Sequence, residues 1–342
     1  MKEQHGIVLG GTLIVDWIKT VDCYPGEGTL ANILHSERSI GGSAANNSIN
    51  LKTLDPHLPV AVTGSVGNDE NGRYILDTLE NRRIDISGIG ISPLLPTSYT
   101  DVISVKNSGQ RTFFHAQAAN GAWSFTDIPF AAYAGYSIVQ IGYILLLDAM
   151  DREDPEYGTV LARVFAEFQK LGLKTAVDVV SEASDRFTRL VTPALCYVDY
   201  LILNELEAGY TVGITLRRDD GTLEASRLRE TAERLLDAGH SRLVVIHMPE
   251  GGYALTREGE EIKVPSFALP PEVIQGAVGA GDAFCSGVLY GLEQRWDLQE
   301  ALQLGSTLAA CSLFWPDSTG GALSLEAARK KMSGYELRPM MF

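Results

Sequence analysis

Short runs rich in Val, Ile and Leu recur along this chain, at residues 6–9, 60–66, 138–141, 175–179, 200–203 and 243–246. Runs this short and this uniformly apolar suit strands buried on both faces, the pattern of a parallel sheet. Between them, segments such as 159–171 and 223–238 carry apolar residues at three- and four-residue spacing with charges elsewhere, as crossover helices covering such a sheet do. The alternation predicts a doubly wound α/β fold: a mostly parallel sheet with helices on both faces.

One region departs from this rhythm. Residues 97–105 and 111–115 are strand-like and are separated by Lys106-Asn107-Ser108-Gly109-Gln110, a set of hairpin-turn residues. An antiparallel hairpin here, together with residues from about 13 to 40, predicts a small β-lid outside the main sheet. With no internal repeat, low-complexity tract or linker, residues 1–342 are expected to form a single domain that includes a discontinuous lid at about 13–40 and 97–116.

Composition narrows the function classes. The chain is 45% hydrophobic and 21% charged, as a globular protein with a real core requires. Its formal net charge of -15 argues against nucleic acid as a partner, because binding through phosphate needs a basic face. The N-terminal residues resemble neither a signal peptide nor a span of about 20 apolar residues, so a cytoplasmic protein with no membrane partner is expected. Cys23, Cys196, Cys285 and Cys311 form no C-x-x-C pair and are read as free thiols. No histidine has metal-ligand spacing, which leaves metal chemistry to carboxylates.

Three segments carry candidate chemistry. Gly276-Ala277-Val278-Gly279-Ala280-Gly281-Asp282 leads into a helical stretch, so its small residues would let backbone N–H groups of a helix's first turn approach an anion. Asp282 then stands where a carboxylate could take the proton of an attacking hydroxyl; a tight turn with a helix cap fits the same residues. Gly41-Gly42-Ser43-Ala44-Ala45-Asn46 opens a second helix ending near Leu54, and Asn46 offers a donor and an acceptor suited to sugar hydroxyls, or equally to capping and solvent. Asn204-Glu205-Leu206-Glu207 follows an apolar strand at the end where open α/β sheets place ligands. A carboxylate there can hold Mg²⁺ through water, or can simply favour a helix dipole. The sequence contains neither G-x-x-x-x-G-K-[ST] nor G-x-G-x-x-G.

In this order and spacing the segments resemble the ribokinase-like carbohydrate kinase (PfkB) family, over essentially the whole chain. Gly41 to Asn46 looks like the family's sugar-site motif, Gly64 to Asp69 with Gly72 like the turn that follows it, and Gly276 to Phe284 like its C-terminal signature. The resemblance implies an ATP-dependent kinase acting on a hydroxyl of a small sugar, with Mg²⁺ and with ATP as co-substrate. It implies Asp282 as base, Gly279, Ala280 and Gly281 as an anion hole, and Asp16, Gly41, Gly42 and Asn46 on the sugar. Asn204 and Glu207 would serve magnesium and phosphate, with Glu207 the metal residue, and His247 and Gly252 would lie on the nucleotide side. A homodimer through paired lids is a further implication.

The sequence also departs from the family pattern. Gly276, Ala277 and Val278 replace the usual Asp-Thr-Thr, which leaves monovalent-cation activation open. Pro249 stands where relatives often have Gly, and Asp178-Val179-Val180 lacks the Asn of the family's Asp-x-Asn. A nucleoside kinase of the same fold, with Tyr99, Phe113 and Phe114 forming a slot for the base, and a sugar-binding protein without catalysis are the alternatives.

Overall fold

The computed structural model describes residues 4–107, 110–179, 186–340 and 342. Ser108 and Gly109 of the expected turn, and Val180, lie outside the described residues. The chain runs β1 (Ile7–Gly11), β2 (Ile14–Val21), β3 (Ile33–Gly41), α1 (Ser43–Leu54), β4 (Val60–Gly67), α2 (Glu70–Glu80), β5 (Asp85–Ser92), β6 (Tyr99–Val105), β7 (Arg111–Ala116), α3 (Ala118–Ala122) and β8 (Ile138–Ile144). A short ribbon, β9 (Glu153–Asp154) and β10 (Gly158–Thr159), precedes α4 (Val160–Lys170), β11 (Lys174–Val179), α5 (Arg186–Leu195), β12 (Tyr200–Asn204), α6 (Glu205–Val212) and α7 (Leu228–Asp237). Then follow β13 (Leu243–Met248), β14 (Gly251–Thr256), β15 (Glu261–Pro265), α8 (Ala280–Glu293), α9 (Leu298–Ser312) and α10 (Leu325–Met332).

Nine strands form the main sheet in the order β15-β14-β13-β12-β11-β8-β1-β4-β5. All neighbours from β13 to β5 pair in parallel, whereas β14 and β15 add an antiparallel edge. Side-chain alternation along the strands splits the core in two. Val8, Ala61, Val244 and Ile246 pack with Phe165 and Phe168 of α4 and Leu235 of α7 on one face. Ile7, Leu9, Val60, Val62 and Val245 pack with Ile49 of α1, Val288 of α8 and Leu308 of α9 on the other. The doubly wound architecture follows, because every parallel strand must be covered on both sides.

One expectation needs correction. The helix expected at 223–238 begins as a 3₁₀ turn at Ala225–Arg227 and becomes α-helical only from Leu228. Helix α1, whose asparagines could equally have faced solvent, is buried at Ser43, Asn46, Asn47, Ser48 and Asn50. It lies between the sheet and α8, where buried polar groups need partners. Asn47 Nδ2 donates to Ser43 Oγ at 3.3 Å, and Ser286 Oγ of α8 donates to Asn47 Oδ1 at 2.9 Å.

The lid is a four-stranded sheet in the order β3-β2-β6-β7, with β2 and β6 parallel and the outer pairs antiparallel. Only Thr12 and Leu13 separate β1 from β2, and only Gly42 separates β3 from α1. The lid therefore springs directly from the ends of the elements that carry the site.

Candidate active site

The site is assembled at the carboxyl ends of the parallel strands, where the lid meets α8. Helix α8 starts from Gly279, whose φ of 78° lies in the left-handed region and whose missing Cβ leaves room for the Ser318 carbonyl. Ala283 N makes the first bond of the helical ladder, to Gly279 O at 2.8 Å. The amides of Gly281 and Asp282 precede that ladder, at the positive end of the helix, and suit an anion.

Asp282, in the first turn of α8, is 5% exposed. Tyr143 OH donates to its Oδ1 and Asn46 Nδ2 to its Oδ2, each at 2.8 Å. Ser318 Oγ, 2.9 Å from Ile40 O and 3.1 Å from Asn46 Oδ1, fixes the amide so that its NH₂ end faces Asp282. Burial pushes the Asp282 carboxyl up to about 6, against the downward pull of the Asn46 and Tyr143 hydrogen bonds.

Asp16, on β2, reaches the same space from the lid. Burial raises its carboxyl to about 6; a hydrogen bond from Thr100 opposes the rise and the charge of Asp282 adds to it. A Cβ at Gly41, which pairs with Ile14 at the end of β3, would collide with this carboxylate. The charge of Asp282 acts on Asp16, so a carboxylate of the lid and one of the body lie within electrostatic reach of each other.

A second pair of acids lies deeper. Asn204 caps α6: its Oδ1 accepts from Leu206 N and Glu207 N, both at 2.9 Å, while Glu207 Oε2 accepts from Asn204 N at 3.0 Å. The two residues taken for metal and phosphate thus form a capping box. Glu205, beside them, pairs with Arg217 at 2.7 Å. Asp178, at the end of β11, is held well above the usual carboxylate range by burial, then by the charges of Glu207 and Asp282. The Tyr143 phenol is raised by burial and by all three acids.

Among the described residues, no three His, Cys, Asp or Glu side chains close into a metal cage. The fit is instead to a hard cation that keeps waters and takes one or two carboxylates plus phosphate oxygens. The mutual repulsion of Asp178, Glu207 and Asp282 is what such an ion relieves.

Beyond Gly281 lies a mostly apolar cavity of about 390 Å³. Ala277, Ala280, Gly281 and Phe284 form one wall, and His247, Met248, Phe267, Ile274, Ala310 and Leu313 line the rest. The His247 ring stacks on Phe284 at 5.1 Å and 30°, and burial pushes its imidazole down to about 4, so it is neutral at pH 7. Gly252, paired with His247 across β13 and β14, contributes by omission: a Cβ there would stand 2.8 Å from the Phe284 ring. A larger cavity of about 530 Å³ lies beyond Phe267, lined by Glu300, Gln303 and Arg329 and, unlike the smaller one, not by Ala280 and Gly281 at the start of α8. Gly276, where the family pattern has a carboxylate, instead faces the lid residue Arg111: its Nη2 lies 3.3 Å from where a Cβ would be and donates to Pro316 O at 3.3 Å.

The structure brings Asn46 into contact with Asp282, sets Asp16 against Gly41 and within reach of the Asp282 charge, and places His247, Ala280 and Gly281 on the 390 Å³ cavity, while Asn204 and Glu207 meet in the α6 cap. Tyr99, Phe113 and Phe114 are exposed on the lid and form no closed slot for a base. Sequence reasoning missed Tyr143, Ser318 and the placement of Asp178. Tyr143 stands two residues past an apolar run, at a strand's carboxyl end, a position that marks ligand contacts. Ser318, in an irregular loop, carries no such signal.

An α/β body with a small separate sheet, a buried carboxylate at a helix N-terminus and a mostly apolar cavity beside it suits a small-molecule kinase. The profile of the pfkB family carbohydrate kinases matches residues 4–321, and the chain belongs to that family. Over 315 residues it is 25% identical to 5-dehydro-2-deoxygluconokinase of Clostridium perfringens, covering 90% of this chain and 87% of that one. It is 23% identical to mouse (Mus musculus) ketohexokinase over 311 residues, 90% of this chain and 95% of that one. The Arabidopsis thaliana ribokinase structure complexed with ribose and ATP shares the fold with a TM-score of 0.78, at 18% identity, covering 96% of this chain and 98% of that chain. The chain is accordingly an ATP-dependent sugar kinase.

Proposed function

We propose that this kinase moves the γ-phosphoryl group of Mg-ATP onto a hydroxyl of a small sugar held between Asp16 of the lid and Asp282 of the body. Asp282 accepts the hydroxyl proton, the sugar oxygen attacks phosphorus, the bond to the bridging oxygen breaks and ADP leaves. The Gly279-Ala280-Gly281 turn, with the amides of Gly281 and Asp282 at the start of α8, stabilises charge developing on the phosphoryl oxygens. The observation that carries this reading is Asp282 itself, buried and aimed by two donors, at the junction of the lid cavity and the helix N-terminus. Mg²⁺, held through water by Glu207 with Asp178 nearby, would supply charge neutralisation for the phosphates. ADP release over ketoses, aldoses, sugar acids, inositols and nucleosides tests the reading; 5-dehydro-2-deoxygluconate and ketohexoses head the panel because relatives are named for them. Turnover of nucleosides alone would overturn it. Exposed Ile33, Leu34, Phe113 and Phe114 on the lid support a homodimer, which sedimentation tests.

Glu207→Gln is expected to raise the Mg²⁺ concentration for half-maximal rate several-fold while leaving the sugar KM nearly unchanged. Glutamine also serves in a capping box and can still accept from Asn204 N, so α6 keeps its start; the charge is lost together with the second acceptor, which takes the Asn204 Nδ2 hydrogen bond. A change confined to the sugar KM would remove Glu207 from the metal side.

Tyr143→Phe deletes one of the hydrogen bonds that hold the Asp282 carboxyl down, so that carboxyl titrates higher. Activity requires the carboxylate and rises with pH through its midpoint. The acidic limb of the kcat/KM profile is therefore expected to move to higher pH, with a plateau within about tenfold of wild type. An unmoved limb would show that another group titrates there.

A further inference from the structure

We propose that Arg338, carried on a short strand that walls the 390 Å³ cavity, is a nucleotide-binding residue of this kinase. The proposal rests on the reading of that cavity as the ATP site. Residues 336–338 pair antiparallel with 266–268: Ala268 N donates to Glu336 O and Arg338 N to Ser266 O, both at 2.8 Å, around a Phe267–Leu337 bridge. Alternation along a strand sends neighbours to opposite sides. Leu337 lines the larger cavity and Arg338 the one that also contains Ala280 and Gly281. The segment is anchored beyond this point by Phe342, which packs against the core and reaches within 2.9 Å of where a Gly251 Cβ would be. The matched family region stops at residue 321, so this wall is built by residues outside it.

Charge decides what Arg338 does there. Of the described side chains lining the cavity, Arg338 is the sole cation: His247 is neutral at pH 7, and Glu205 is engaged by Arg217. The Arg338 guanidinium closes no ion pair among the described residues; it only draws down the nearby Glu250 carboxyl from a distance. A nucleoside triphosphate approaching a chain of net charge -15, past Asp178, Glu207 and Asp282, meets repulsion that a guanidinium at the cavity rim offsets.

The test is steady-state kinetics with calorimetry of ADP on the intact chain. Arg338→Ala is expected to raise the ATP KM and the ADP Kd about tenfold, leaving kcat and the sugar KM within about twofold. Arg338→Lys is expected to recover most of the loss because it keeps the charge, and the salt dependence of the ATP KM is expected to flatten in the alanine variant. An ATP KM within about twofold of wild type in Arg338→Ala would overturn the proposal. Ile274→Trp, at a partly exposed position that also lines the cavity, separates the two levels, with a thermal melt to show that it folds. Weakened ADP binding in Ile274→Trp beside unchanged binding in Arg338→Ala would sink the role of Arg338 alone. Unchanged binding in both folded variants would remove the nucleotide from this cavity, and the proposal with it.

Discussion

Asp282→Asn is expected to lower kcat by about 10² to 10⁴ while leaving ADP affinity near that of wild type, the loss typical for a positioned general base. The amide keeps the shape and removes the basicity. Of the two donors aimed at Asp282, from Asn46 and Tyr143, one loses its acceptor, which costs the fold a little. Relief of a buried charge opposes that cost. The Asp282 carboxyl titrates at about 6, above its ordinary 3.8, so its contribution to stability is full below the ordinary value and is lost as pH rises through about 6. Asparagine carries no such loss, and the melting temperature of the variant relative to wild type is expected to rise between about pH 4 and pH 6 and to level off above that. Wild-type kcat in the purified variant would refute the assignment of the base.

Asp16→Ala is expected to reduce kcat/KM for the cognate sugar by about 10² or more, with ATP affinity within about twofold. In the proposed reading the Asp16 oxygens accept from sugar hydroxyls, at a place where burial makes each unmatched polar group costly, about 1–3 kcal/mol or more when charged. Alanine leaves those hydroxyls without an acceptor and removes one source of repulsion on Asp282. The acidic limb of the residual activity is therefore also expected to shift slightly to lower pH. Calorimetry of an ATP analogue beside kinetics on the sugar checks both parts. Weakened nucleotide binding with unchanged sugar dependence would reverse the division of the cleft.

The parallel strands are legible in the sequence because burial on both faces keeps them almost wholly apolar, with only Thr63 and Ser65 polar in Val60–Gly67 and only His247 in Leu243–Met248. The edge strands β14 and β15 are not, since one opens on two glycines and the other alternates charge with apolar residues as any exposed turn region does. At the site, the glycines before α8 announce a helix start, but not that Asn46 from 236 residues earlier would aim Asp282. Tyr143, 139 residues away, is hidden for the same reason: its role depends on where β8 ends relative to α8, which only the assembled sheet fixes. Asn204 and Glu207 show a further limit. A helix cap and a metal-facing carboxylate use the same residue types at the same spacing, and sequence alone does not separate them.

The join between the two sheets carries a mechanical consequence. Thr12 and Leu13 link β1 to β2; Thr12 N bonds to Gly142 O at 2.9 Å, and Asn120 grips Leu13 through both its N–H and its C=O, at 3.2 and 3.1 Å. On the other strand of the pair, Gly42 is the single residue between β3 and α1. The other two crossings are also short, residues 93–98 before β6 and Gln117 after β7. The four-stranded sheet is thus tied to the body at four close points, two of them beside Asp16 and Asn46, and any swing of it would have to be absorbed by torsions there and not at a remote flexible tether.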